Sequence, residues 1–413
     1  MHGRTSRRFW LTGVAATVLA TTVLATTVAC GGGSSGSGSG SKGPIPLALV
    51  YPTSGVWTTQ GENSLRGAEL AIADINAKGG VLGGTQLVAK TADAGNDPQT
   101  AASAVRQVLQ QDKVAALLGS YLSSYTLTGS TVAEQSKVPD ITQSFSDELV
   151  TRGYKYIFKT TSTAAQFSNS VFDYLTGMYQ AAGKPIPSVA ILASDDASGQ
   201  QQYTAAVKAA PGKHFDVKLQ LQFPANITDT SSLVNRIIAA KPDVVLLNGP
   251  DLAEIQIVKA LRANGINSPI VGLGGAGVTT QAFVDALGPK VDGVLATVPF
   301  NGDASPQATD IASRYIKQYG GTFMPAESGT AYVGVELAAA AINKAKSADP
   351  KAVADALRGL SITDFPATLY PGKQIAFNDK GLNEKAYPLM IQYQQGKPVT
   401  VWPKQDASAA PKL

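Results

Sequence analysis

The sequence predicts an α/β fold built on parallel sheets, and three observations carry that prediction. Short, wholly apolar runs recur at Leu47–Tyr51, Val114–Leu118, Val189–Ala193, Val244–Leu247, Ile270–Leu273 and Val294–Val298. Runs this short and continuous suit strands buried on both faces. Between them lie segments with helical spacing, such as Leu65, Ala68, Ile72 and Ile75, which set one apolar stripe against a sheet. Finally, about 370 residues follow the amino-terminal leader and its linker, more than a single core usually holds, so two domains are expected.

The leader comes first in the chain. Arg4, Arg7 and Arg8 precede an apolar run from Phe9 to Ala29, and the run ends at Cys30, the only cysteine. That order reads as an export signal over residues 1–29. Val28-Ala29-Cys30 resembles the end of a bacterial lipobox, with Cys30 as the lipidated residue, although Thr27 stands where an aliphatic residue is usual. Ser6-Arg7-Arg8-Phe9-Trp10-Leu11 resembles a twin-arginine export motif, with Thr12 in place of its common Lys. The alternative is an uncleaved membrane anchor, since a run of this length can span a bilayer. Either reading holds the chain at the extracytoplasmic face of a cell membrane. Residues 30–43 then form a lipid-anchored linker, and its Gly/Ser tract behaves as a flexible coil with a reach of roughly 20 Å.

The remaining elements follow in order. Asp97-Pro98, ahead of Val105, Val108 and Leu109, supplies an N-cap and an N1 proline for a helix. In Val217–Phe223 apolar residues alternate with Lys218, Gln220 and Gln222, which marks a half-exposed strand near a sheet edge. The rhythm pauses at Lys159–Thr163 and again at Thr297–Asp303, which fits two similar halves joined by more than one crossing. Ala331–Ala345 is an Ala-rich helix with Val335, Ala338, Ala339 and Ile342 facing inward, and Tyr332 is expected in the core. Gly372–Phe377, Pro388–Tyr393 and Val399–Trp402 read as late strands, separated by the turn residues Asn378-Asp379-Lys380-Gly381 and Gln395-Gly396. Gln405–Leu413 is expected to be a loose tail.

Composition excludes several functions. One cysteine permits no internal disulfide and no thiolate metal cluster, and the only histidines are His2 and His214, the first of which leaves with the leader. The formal charge is +4 from 34 basic and 30 acidic residues; removing the three leader arginines leaves 31 against 30, or +1. These charges are scattered, so no nucleic-acid footprint is present. Outside the Gly/Ser linker no Gly-x-Ser-x-Gly elbow occurs, and no Cys/His pair, P-loop or metal-ligand spacing is present, which speaks against an enzyme and for no cofactor. Gly272-Leu273-Gly274-Gly275-Ala276-Gly277 lacks dinucleotide-binding spacing and is expected to form a cleft-facing turn.

Together the local residues make a resemblance. Tyr51-Pro52-Thr53-Ser54-Gly55, Gly61, the block from Gly67 to Gly80 with its Asp74-Ile75-Asn76-Ala77-Lys78-Gly79-Gly80, Asn96-Asp97-Pro98, Leu118-Gly119, Ser123-Ser124, Glu148-Leu149 and Arg152-Gly153-Tyr154 closely resemble the branched-chain amino-acid type of ABC-transporter solute-binding protein. The likeness runs from about Ile45 to Trp402. It implies the periplasmic binding protein type I fold: two doubly wound, Rossmann-like lobes joined by a three-segment hinge, closing over a small solute and passing it to a permease and ATPase complex. The lobes are expected at residues 44–160 plus 299–366 and at residues 161–298 plus 367–404, with residues 405–413 as a tail. The protein is expected to act as a monomer.

The resemblance also proposes a site between the lobes. The family's carboxylate-holding hydroxyls fall at Ser123 and Ser124, where a helix start adds N–H donors; the bland alternative is that these serines only cap the helix. A second loop contributes Gln143, Ser144 and Phe145. Trp57, Tyr121 and Tyr125 are candidate walls or lids, and Gln60, Ser198 and Gly329 stand where relatives carry aromatics. The family's amine-binding tyrosine and glutamate fall at Pro250 and Gly274, so both partners are missing, with Asp251 or Asp195 as possible substitutes. A buried ammonium without such a partner is costly. The expected cargo is therefore a small polar or carboxylate-bearing solute without an α-ammonium group, and the alternatives are an amino acid or a solute sensor without transport.

Overall fold

The strand and helix patterns are realised in a computed structural model that describes residues 43–274 and 277–413, without the side chains of residues 197 and 198. The leader, Cys30 and nearly all of the linker lie outside the described residues. The first sheet contains β1 (Ile45–Tyr51), β2 (Leu87–Asp93), β3 (Ala116–Gly119), β4 (Asp140–Thr142) and β5 (Ile157–Lys159) in the order β2-β1-β3-β4-β5, all parallel. Its connections are α1 (Thr58–Ala77), α2 (Pro98–Gln111) and α3 (Ser123–Ser136). The side chain of Asp97 caps α2 by accepting from the N–H groups of Gln99 and Thr100, each at 2.9 Å, as the Asp-Pro signal predicts.

The second half repeats the scheme. Helix α4 (Ala164–Ala181) leads to β6 (Val189–Ser194), α5 (Ala197–Gly212), β7 (Val217–Phe223), α6 (Ser231–Ala240), β8 (Val244–Asn248), α7 (Asp251–Ala263), β9 (Ile270–Gly272), α8 (Gln281–Leu287) and β10 (Leu295–Val298). The chain then returns to the first half with α9 (Pro306–Tyr319), α10 (Ala326–Ala345) and α11 (Pro350–Arg358), followed by the short pair β11 (Ser361–Ile362) and β12 (Ile375–Ala376). Two antiparallel strands, β13 (Leu389–Gln394) and β14 (Lys397–Trp402), complete a second sheet of order β14-β13-β10-β9-β8-β6-β7. The alternating strand β7 lies at its edge, where a half-exposed pattern belongs.

Each sheet is covered on both faces, and the pleat decides which residue faces which layer. In β1, Leu47, Leu49 and Tyr51 join the core shared with α1 and α10, whereas Ala48 and Val50 face α2 and α3. In β6, Ala190 and Leu192 face the α7 side, and Val189 and Ile191 face α4 and α5. This is the mixed α/β architecture of two doubly wound lobes. Within the described residues the chain passes between the two cores three times: between Lys159 and α4, between Val298 and Phe300, and between Phe377 and Leu389.

Three sequence expectations change. Ala367, Leu369, Tyr370, Ile375 and Phe377 pack in the core of the first sheet, although the sequence reading assigns residues from 367 onward to the second lobe. Gly372–Phe377 yields only the two-residue β12, because its apolar residues fill the space under α9 and α10 rather than extending a main sheet. The tail is also docked. Ser408 N–H donates to Thr400 O at 2.8 Å, the buried Gln392 amide exchanges bonds of 2.7 and 2.8 Å with the Lys412 backbone, and Leu413 packs on the second core. These contacts satisfy polar groups that the sheet leaves open.

The packing of α1 on α10 is set by Gly67. A Cβ there would lie 2.0 Å from the Ser328 carbonyl oxygen, so the helix backbones touch directly. Replacing Gly67 by Ala is expected to destabilise the protein by about 3 kcal/mol in chemical denaturation, since the clash is with backbone that cannot swing away.

Candidate functional site

The loops that leave β1, β3, β4, β8 and β9 open at the carboxyl ends of their strands, and a crevice forms where the two sets meet. It holds about 590 Å³ of atom-free space including its mouth. Trp57, Tyr121, Leu122, Ser123, Gln143 and Phe145 line it from the first lobe, and Gln202, Asn248 and Gly274 from the second. Pro299, Ala326, Glu327 and Thr330 close its hinge side. Mixed apolar walls with a few convergent polar groups are the usual make-up of a small-molecule site.

Ser123 is the first residue of α3, and no side chain caps this helix: its N-cap position is Leu122. The first N–H groups of a helix have no intrahelical acceptor, and the helix dipole makes that end partially positive. Ser123 is buried, and its Oγ accepts from Ser144 Oγ at 3.2 Å. Ser144 is fixed in turn, its N–H donating to Thr142 Oγ1 at 3.1 Å. The serines therefore sit inside the first turn instead of serving as its cap. Ser124 is half-buried and does not line the crevice.

Gln143 is locked by two neighbours. Its Nε2 donates to Ser64 Oγ at 2.9 Å, and its Oε1 accepts from the Thr330 hydroxyl. Phe145 packs on Phe167 with ring centroids 4.4 Å apart. Behind this loop lies Lys159, fully buried at the end of β5. Its Nζ donates to the carbonyl oxygens of Ser144 at 2.6 Å, Thr161 at 3.2 Å and Ser162 at 2.5 Å. Burial pushes this ammonium down to about 7, opposed only weakly by Asp147.

At the mouth, Trp57 and Tyr121 meet edge to face with centroids 6.3 Å apart. The lobes also touch directly: Thr59 Oγ1 donates to Asp251 Oδ2 at 2.9 Å. Gly274, with φ +71°, lets the second lobe approach Phe145, because a Cβ would lie 3.1 Å from that ring. Asn248 donates to Leu273 O at 2.6 Å, which holds the end of β8 against the end of β9.

The sequence-named candidates thus divide. Trp57, Tyr121, Ser123, Gln143, Phe145 and Gly274 line the crevice, and Ser144 stands directly behind Ser123. Tyr125 packs under α3 in the core, and Gln60 is fully buried outside the lining with both amide atoms unpartnered. Pro250 is the N-cap of α7, and Asp251 is occupied by Thr59, so neither lines the crevice. Asp195 is exposed and accepts from Ala225 N–H. The side chain of Ser198 lies outside the described residues. Gly329 is buried against Phe300, which takes the volume an aromatic there would fill.

Sequence reasoning missed Leu122, Gln202, Asn248, Pro299, Ala326, Glu327 and Thr330, and Glu327 is the ionisable one among them. The Ala-rich helix begins at Ala326, five residues before the expected Ala331, and carries Glu327 in its first turn. Pro325 with Glu327 two residues later was the available signal of a helix start. Glu327 lines the crevice, its Oε2 has no partner, and burial pushes its carboxyl up to about 7 despite the Thr279 hydroxyl.

A model of the periplasmic binding protein family matches residues 44–396, and the chain belongs to that family. It is 30% identical over 379 residues to the Leu/Ile/Val-binding protein homolog 7 of Brucella suis biovar 1, covering 89% of this chain and 93% of the relative. Its fold is similar to the branched-chain amino acid transporter substrate binding protein LivJ of Streptococcus pneumoniae in complex with isoleucine (TM-score 0.74, 24% identity, 86% and 97% of the two chains). It is also similar to a fatty acid ABC transporter substrate-binding protein of Thermomonospora curvata (TM-score 0.72, 21% identity, 87% and 91%). The protein is accordingly a solute-binding protein and not an enzyme, and its family implies an extracytoplasmic location. Among the described residues no helix is long and apolar enough to cross a membrane.

The raised carboxyl makes a pH prediction. Glu327 holds its proton more tightly folded, near 7, than at the ordinary value of 4.5, so the native state loses stability as pH rises between those values. Asp140 and Glu336, also raised to about 7 by burial, act in the same direction. In thermal unfolding, Glu327→Gln should match the parent near pH 4.5, exceed it at pH 8, and show a shallower fall between.

Proposed function

We propose that the protein captures a small carboxylate-bearing solute in the inter-lobe crevice and delivers it to a membrane permease of an ABC importer, tethered through a lipidated Cys30. The observation that carries this reading is the uncapped start of α3 beside Ser123 and Ser144, open to the crevice. The similar proteins support it: a fatty acid and isoleucine share a carboxylate on an aliphatic body, and only the second carries an ammonium. Binding to both lobes favours the closed arrangement, so the loaded state is a ligand-biased population that a permease can distinguish.

A second reading, an amino acid, is favoured by Glu327. Asp251 and Asp195 have other partners, whereas Glu327 offers a free carboxylate oxygen at the crevice. This reading also agrees with the name of the Brucella relative.

A thermal-shift screen of monocarboxylates, dicarboxylates, amino acids, sugars and nucleosides tests the proposal. A ligand at 100 times its Kd adds about 2.7 kcal/mol of stability, and carboxylates are expected among the hits. Ser123→Ala should weaken the best carboxylate about tenfold in calorimetry, or about 1.4 kcal/mol. If Glu327→Gln weakens L-leucine but not 4-methylpentanoate, the amino-acid reading holds; hits confined to sugars or nucleosides contradict both readings. Loss of palmitate incorporation in Cys30→Ser checks the tether.

A further inference from the structure

Lys159 is an unusual residue to find where the first sheet ends. It is fully buried, and among the described residues no carboxylate lies within 4.0 Å of its Nζ. A buried charge is normally paired, because desolvation costs several kcal/mol that carbonyl dipoles alone offset only in part. The acceptors of this ammonium are backbone oxygens on both sides of the first crossing: Ser144 on the crevice loop, and Thr161 and Ser162 on the crossing segment. Thr161 Oγ1 adds a fourth contact at 3.3 Å and itself donates to Gln143 O at 3.1 Å. The crossing is thus laced to the loop that carries Gln143, Ser144 and Phe145.

The same ammonium stands one residue behind the crevice wall. Ser144, whose carbonyl it binds, donates its hydroxyl to Ser123, and the Phe145 ring centre is 5.8 Å from Nζ. Ser123 and Phe145 both line the crevice. Charge interactions through protein fall off slowly because little water lies between.

Resting on the carboxylate reading above, we infer that Lys159 is a positioning and charge-supplying residue of the binding site: a solute carboxylate at Ser123 is its counter-ion, and its ammonium holds the serine loop in register with the hinge crossing. Direct contact with the solute is not required. Selection of an anion over a neutral solute of the same shape then depends on a side chain that the solute never touches.

Calorimetry on the full chain tests this with matched acids and amides: 4-methylpentanoate and its amide, L-leucine and L-leucinamide, benzoate and benzamide. Wild type is expected to prefer the acid in the pair that binds by at least tenfold. Lys159→Met and Lys159→Gln should cut that preference about tenfold, and Lys159→Arg should keep it. The glutamine variant retains a donor for the carbonyls and supplies a neutral protein should the methionine variant not fold. A preference left intact in the neutral variants, or an equal loss for acid and amide, overturns the inference while leaving the carboxylate reading in place. A wild type that never prefers the acid overturns both.

Discussion

A parallel strand buried on both faces can use its backbone only in the ladder and at its two ends, and this constraint organises the molecule. Most groups of the crevice wall are presented at or just beyond the carboxyl ends of such strands, and α10 adds Ala326, Glu327 and Thr330 from the hinge side. The former are held there by short polar bonds to neighbouring strand ends. Thr142 Oγ1 receives the Ser144 N–H and donates to Ser120 O at 3.1 Å, and Thr297 Oγ1 receives the Gly274 N–H at 3.1 Å. The crossing out of the first sheet is pinned in the same way: Lys159 N–H donates to Gly381 O at 2.7 Å, and Thr160 N–H to Thr142 O at 3.0 Å. The hinge and the binding loop are therefore one hydrogen-bonded structure.

Electrically the crevice has two ends. The start of α3 and the hidden Lys159 make one wall attractive to anions. Glu327, on the hinge side, is a carboxyl whose proton is retained to near neutrality when nothing cationic faces it. A solute with only a carboxylate leaves Glu327 protonated and able to donate a hydrogen bond. A zwitterion ionises it, and the two ends then match a dipole.

Much of the fold was legible because buried parallel strands and amphipathic helices leave strong periodic signals. β1, β6 and β8 fall on their apolar runs, and the alternation in Val217–Phe223 marks an edge strand. The return of residues 367–377 to the first core was not legible, since a few apolar side chains between turns carry no address. The tail misled because its anchoring is mainly by backbone bonds to Thr400 and Gln392, which composition does not reveal. In the site, the serine–helix junction could be read from strand, turn and hydroxyls. Glu327 could not be matched to a missing partner, because it reaches the crevice from a helix in the other lobe, far from Pro250 and Gly274 in sequence. Lys159 was visible in the sequence only as the point where the strand–helix rhythm pauses, because its burial is a tertiary property.

The most direct measurement is a crystal structure of the protein with its natural solute bound. The account predicts the solute between the lobes, its carboxylate within hydrogen-bond distance of Ser123 and the first N–H groups of α3, with Lys159 behind Ser144. A solute whose anionic group lies away from α3, or one that carries none, would contradict it.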